Sequence, residues 1–228
     1  MLLAIVTVSV RAPERSLVHA RRAEALLGPG LWTRVIRISN RAEGGRYPPQ
    51  VDALVFELEG VLWFYTDTDG TQSLSQLLRH AEQDKAALGP LLLHLNPGFT
   101  AWEDAPVIDH EQLAEKTPLP NGCFIESLAL LRQRLAAGAP THEPRLLAYY
   151  VAMPGGGVHG HTVLQFRGNE GWIVIDPYRP KKRQRIFPKN PDDAKACADG
   201  LRPDVATARQ WALPQVAELW KGDNCALR

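Results

Sequence analysis

The segment His161-Thr162-Val163-Leu164-Gln165-Phe166-Arg167-Gly168-Asn169-Glu170-Gly171-Trp172-Ile173-Val174-Ile175-Asp176-Pro177 reads as a β-hairpin. Two runs rich in β-branched and aromatic residues, 162–166 and 172–175, flank a turn rich in Gly and Asn, the pattern of paired antiparallel strands. With Gly168-Asn169 at the tip, Arg167 faces Glu170, and stepping outward residue for residue brings His161 opposite Asp176. Directly opposed residues share a face, with Cβ atoms about 5 Å apart. A carboxylate so placed accepts a hydrogen bond from one imidazole nitrogen and leaves the other for a third group. A slip of one residue would send it to the other face. In the same register His159 opposes Tyr178 beyond Pro177, so His159 is expected in the Gly155-Gly156-Gly157 loop, lining a cleft.

The third group is Cys123. Asn121 is a good N-cap after Pro120, and Phe124, Leu128, Leu131 and Leu135 follow at helical spacing until Gly138 and Pro140 end the pattern. Cys123 thus falls in the first turn of a helix. There, free backbone N–H groups and the positive end of the dipole are expected to lower the thiol pKa and to receive an oxyanion. Singly, each residue has an ordinary explanation, since free cysteines usually behave as small hydrophobes and an Asp-Pro step can simply end a strand. Together they supply a nucleophile, its base and the base's orienter. Cys197 and Cys225 lack such a context and read as structural.

Composition narrows the partners. The chain has 228 residues, 45% of them hydrophobic, with 26 basic against 25 acidic side chains and a net charge of +1. A single domain over residues 1–228 is expected, and the balanced charge gives no case for nucleic acid or an anionic membrane surface. An odd number of cysteines in a chain this long favours a reduced, cytoplasmic compartment. The apolar start Met1-Leu2-Leu3-Ala4-Ile5-Val6-Thr7-Val8-Ser9-Val10 has no basic n-region and no small-x-small cleavage site. It is expected as a short strand, export through an atypical signal being the alternative. Asp67-Thr68-Asp69-Gly70 reads as a turn, not a calcium loop: Tyr65 occupies the first ligand position and Gln76 the closing one. No cofactor or metal is expected.

Along the chain, residues 16–27 have helical spacing ended by Gly28-Pro29-Gly30, residues 31–38 are β-rich, and residues 40–49 read as a loop. A hairpin is expected at 51–58 and 61–66 around Glu59-Gly60, then a helix over 73–88 and a Pro- and Gly-punctuated connection over 90–102. A strand over 146–153 precedes the His161 hairpin. Residues 191–220 suggest two short helices broken by Pro203 and Pro214. The basic run Arg179-Pro180-Lys181-Lys182-Arg183-Gln184-Arg185 is expected as an exposed loop, a site for an acidic substrate or polyanion being the alternative.

The order Cys, His, Asp, with the cysteine opening a helix and the others on successive strands, resembles the transglutaminase-like branch of the papain-like cysteine enzymes. The phrase Gly171-Trp172-Ile173-Val174-Ile175-Asp176-Pro177 is similar to the Gly-Trp-x-x-x-Asp-Pro stretch of that family, and His161 matches its histidine. The resemblance covers residues 119–178. It implies an α+β, papain/transglutaminase-like fold in which the helix bearing the cysteine packs on an antiparallel sheet. A catalytic core over 117–180 is implied, with a helix and hairpin region over 1–116 and a helical tail over 181–228 packed on it. The implied activity is that of a peptidase or amidase working through a Cys123, His161, Asp176 triad and a thioester acyl-enzyme on a peptide, protein or small amide. Two alternatives stay open. One is a non-catalytic peptide- or protein-binding member, and the other an amine acyltransferase of the transglutaminase or arylamine N-acetyltransferase type. Papain-like enzymes add a side-chain oxyanion donor, for which Gln72 and Gln112 compete, and Trp102 and Trp172 are candidates to shape the cleft or to fill the core.

Overall fold

The computed structural model describes residues 12–41, 48–74, 85–108, 113 and 117–223. In chain order it contains helix α1 (Ala12–Leu27), strands β1 (Thr33–Asn40), β2 (Gln50–Leu58), β3 (Val61–Thr66) and β4 (Gly70–Leu74), helix α2 (Lys85–Leu95) and strand β5 (Phe99–Asp104). Helix α3 (Cys123–Ala136) then leads to strands β6 (His142–Ala152), β7 (Val158–Arg167), β8 (Trp172–Ile175) and β9 (Arg183–Ile186), helix α4 (Ala194–Asp199), strand β10 (Val205–Ala212) and helix α5 (Pro214–Asp223). The fold is α+β, with two five-stranded antiparallel sheets ordered β4-β3-β2-β1-β5 and β10-β6-β7-β8-β9.

The first sheet grows from the β2–β3 hairpin. Glu59 and Gly60 both take positive φ, 53° and 71°, the backbone that a two-residue turn needs to match strand twist. Leu58 therefore pairs with Val61 and Leu54 with Tyr65. Alternation sends Leu54, Phe56, Trp63 and Tyr65 into a central core and Ala53, Val55, Leu62 and Phe64 into a second one, under Leu88 and Leu92 of α2. The central core also holds Ala20, Ala23 and Leu27 of α1, Phe124, Leu128 and Leu131 of α3, Val216 and Trp220 of α5, and Leu146, Leu164 and Phe166 of the second sheet. Helices α1, α3 and α5 thus lie between the two sheets. Each large apolar side chain buried there contributes about 1.5–3 kcal/mol. A third core, with Val163, Trp172 and Val174, lies under Cys197 and Ala198 of α4 on the outer face of the second sheet.

Helix α1, the β2–β3 hairpin, the turn at residues 67–70 and the helix opening at Cys123 follow the sequence expectations. Other segments depart from them. Ser73 and Leu74 close β4 instead of starting a helix, and most of the expected 73–88 helix lies outside the described residues, as do residues 1–10 and most of the 40–49 loop. Helix α2 passes through Pro90 to Leu95 where a connection was expected. Pro90 costs one backbone hydrogen bond, but it faces solvent while Leu88 and Leu92, four apart, seal the second core. The segment after residue 181 contains two short helices, α4 and α5, as expected, but is not helical throughout. It adds β9 and β10 to opposite edges of the second sheet, β10 pairing with β6 through Trp211 and Leu146. Among the described residues, no helix is long and apolar enough to cross a membrane.

Candidate active site

Strand β7 leaves Val158, His159 and Gly160 exposed, half-buries His161, and buries residues 162–166. Its pairing with β8 departs from the expected register: Arg167 faces Trp172 and Leu164 faces Ile175. The turn is longer than the expected two residues, because Gly168 N–H donates to Gly171 O at 2.9 Å. Glu170, expected across from Arg167, instead reaches Arg185 of β9 at 2.9 Å. The register is therefore displaced by two residues. Side-chain direction repeats every two residues, so His161 and Asp176 keep a common face and become diagonal instead of direct neighbours.

Asp176 follows the last residue of β8, where the chain turns. Its Oδ1 accepts the Tyr178 N–H at 2.9 Å and its carbonyl accepts the Arg179 N–H at 3.0 Å, an Asx turn that fixes the carboxylate. Oδ1 lies 3.3 Å from His161 Nε2. Nε2 is sealed from solvent and makes no fully aligned hydrogen bond, so Asp176 meets it at ion-pair distance. That leaves Nδ1 as the nitrogen free for a second group. Tyr149, paired with His161 across β6, and Tyr178 flank the imidazole, with ring centroids 5.7 Å and 5.6 Å away. Burial among them pushes the imidazole pKa down, and Asp176 opposes that shift without reversing it.

Helix α3 opens at Cys123, capped by Gly122 instead of the expected Asn121. Asn121 takes a positive φ of 52°, and its amide donates to the carbonyls of Asp67 and Thr68 at 2.9 Å each. Gly122 is needed because a Cβ there would lie 2.2 Å from Leu119 Cβ. The helix is bolted to β7 where Ser127 Oγ donates to Thr162 O at 3.1 Å, a buried bond. Thr162 and the Phe124 backbone hydrogen-bond to the Cys123 sulfur and favour its thiolate, but burial outweighs them and raises the thiol pKa. The expected depression by the helix terminus is thus overturned. Desolvation of a half-buried thiolate exceeds what the first-turn donors return, and Glu126, one turn on, adds repulsion.

Cys123 and His161 both line a cavity of about 450 Å³, which Gln72 of β4, Trp63 of β3, and Arg209 and Trp211 of β10 also border. Leu164 faces the central core and Val163 the third one, so alternation turns Thr162 toward α3 and His161 toward the opposite face. The two residues reach one cavity where β7 emerges from its cover. Among the described residues, no hydrogen bond joins the Cys123 sulfur to His161.

The other candidate residues separate. Gln72 lines the cavity, whereas Gln112 lies outside the described residues. His159 sits in β7 opposite Val151, exposed and away from the cavity, because β7 begins four residues before the expected run of 162–166. Trp172 is 7% exposed in the third core, with the Arg145 guanidinium 4.5 Å from its ring. Trp102 packs against the second core. Sequence reasoning missed Tyr149, Tyr178, Arg209 and Trp211. Tyr178 had a signal, two residues after Asp176 on the same face. Arg209 and Trp211 had none, since β10 buries only Val205 and shows no alternation of buried and exposed side chains. No family model, curated protein or solved structure matches the chain.

Proposed function

We propose that the protein is a cysteine-dependent acyl-transfer enzyme of the papain/transglutaminase-like kind, a peptidase or amidase that works through Cys123, His161 and Asp176. The observation that carries this reading is the 3.3 Å approach of Asp176 to His161 Nε2 beside a cavity that also receives a helix-opening cysteine. The Cys123 sulfur attacks a carbonyl carbon while His161 takes the thiol proton. The tetrahedral intermediate collapses as the imidazolium returns that proton to the leaving amine, and water then cleaves the thioester with His161 again as base. Asp176 holds the imidazole orientation and stabilises the imidazolium. The Phe124 N–H lies at the first turn beside the sulfur, suited to a developing oxyanion. Burial raises the thiol and lowers the imidazole, so the resting pair is neutral and proton transfer accompanies attack instead of preceding it. The odd cysteine count keeps a reduced, cytoplasmic setting within this proposal.

A second reading, a peptide-binding protein without chemistry, draws on the same neutral resting thiol and on the missing Cys–His hydrogen bond. Incubation with an activated ester, followed by intact-mass analysis, separates the two. The enzyme reading expects an acyl adduct on Cys123 that turns over with time in the native chain, accumulates poorly in His161→Ala, and is absent in Cys123→Ala. Failure of Cys123 to acylate in the folded native chain sinks the catalytic reading.

A further inference from the structure

The basic run after Asp176 does not simply hang in solvent. Arg179 N–H donates to Asp176 O, and Lys182 N–H donates to Arg179 O at 2.8 Å, so two successive turns set Asp176, Arg179 and Lys182 three residues apart on one side. All three border a second cavity of about 140 Å³, which Arg202 closes from beyond α4. Arg202 is already held by both carboxylate oxygens of Asp204. Among the described residues, Arg179 and Lys182 make no ion pair. Val163, Val174 and Leu201 give this cavity an apolar strip, and Tyr149 and Gln184 complete its wall.

We infer that this cavity is a subsite for a carboxylate carried on a short aliphatic stem, Arg179 and Lys182 receiving the charge and the valine and leucine side chains the stem. The planar Arg179 guanidinium suits a carboxylate, and Val163, Val174 and Leu201 suit an aliphatic stem rather than a fourth phosphate oxygen. Asp176 on the rim repels a dianion more than a monoanion. Two peptide groups have this chemistry, a C-terminal carboxylate and an acidic side chain. The inference does not rest on the acyl-transfer reading, since Asp176 lines this cavity and Cys123 does not.

The test is a titration of the intact chain with sodium butyrate, followed through the methyl NMR signals of Val163, Val174 and Leu201, with butanamide and inorganic phosphate as comparisons. Saturable shifts with butyrate are expected. They should weaken about tenfold in the Arg179→Gln/Lys182→Gln double variant, as loss of charge-assisted hydrogen bonds predicts, and persist in Arg179→Lys, which also reports that the fold is intact. Acetyl-alanine and acetyl-glutamate amide then tell the α-carboxylate from the side-chain one, and binding of either supports the subsite. Absence of saturable shifts, equal shifts from butanamide, tighter binding of phosphate than of butyrate, or no weakening in the double variant overturns it. Catalysis enters none of these readouts, so the subsite and the enzyme reading fail separately.

Discussion

Strands β2 and β7 hold the same place, third of five in their sheets, yet they are covered differently. β2 is buried along nearly its whole length because α1 and α3 cover one face and α2 the other. β7 is buried only from Thr162 onward, where α3 and α4 cover its two faces, and its first residues project beyond both. Each is hydrogen-bonded to two neighbours, although at His161 only the β6 edge of β7 is paired, β8 joining from Leu164 to Arg167. Only the partly covered one can present a side chain to a ligand, and His161 stands at that boundary. The candidate chemistry therefore belongs to the end of the cover, not to the sheet as such.

This contrast can be broken or sharpened by measurement. The largest effect is expected from Cys123→Ala, which should lower acyl transfer by about 10⁴-fold or more while shifting stability by only about 1 kcal/mol. Turnover of an activated ester beside thermal unfolding checks both halves. Next comes the fully covered strand. Phe56, with no exposure and the Trp63 and Phe124 rings 6.5 Å away, should lose about 3–5 kcal/mol as Phe56→Ala in urea unfolding. A loss below about 1 kcal/mol would erase the distinction between the two strands.

Asp176→Asn keeps the shape but removes the charge facing Nε2, and should lower turnover by about 10²-fold with little change in the urea midpoint. The smallest effect is in pH dependence. The imidazole pKa is lowered, so the base stays unprotonated until pH falls below the ordinary histidine value of about 6.5, and the acid limb of activity should lie under that value. The thiol is raised, so its thiolate fraction is low at neutral pH. Alkylation of Cys123 in the ligand-free protein should keep climbing with pH beyond about 8.5, where an ordinary thiol levels off. A plateau near pH 6 would mean a preformed ion pair and a cover thinner than described.

What the sequence made legible follows the strength of its local pattern. The β2–β3 hairpin was readable to the residue because a two-residue turn at Glu59-Gly60 leaves one register. The β7–β8 hairpin was readable only to its faces. Glycines at both ends of residues 168–171 permit more than one turn, and the two-residue error survived because a pleat repeats every two residues. Asn121 has good capping chemistry, but its amide is engaged by Asp67 and Thr68, partners 54 and 53 residues away that no local window sees. Strand β10 was hidden for the opposite reason: as an edge strand with a single buried side chain, it has no apolar alternation. The helix terminus at Cys123 was seen correctly. Its electrostatic outcome was not, because desolvation of the thiol depends on burial that only the tertiary fold produces.

The Asn121 amide has one more consequence. It ties the start of α3, which bears the thiol, to the β3–β4 turn of the other sheet, and Gln72 and Trp63 from that sheet complete the cavity wall. The candidate pocket is thus a seam, with sulfur and imidazole on one side and a wall contributed from the other. A chain in which either half has come loose still carries all three polar side chains but has no pocket around them. A partly unfolded molecule should therefore fall silent instead of becoming indiscriminate, and loss of acylation on gentle denaturation should precede loss of secondary structure.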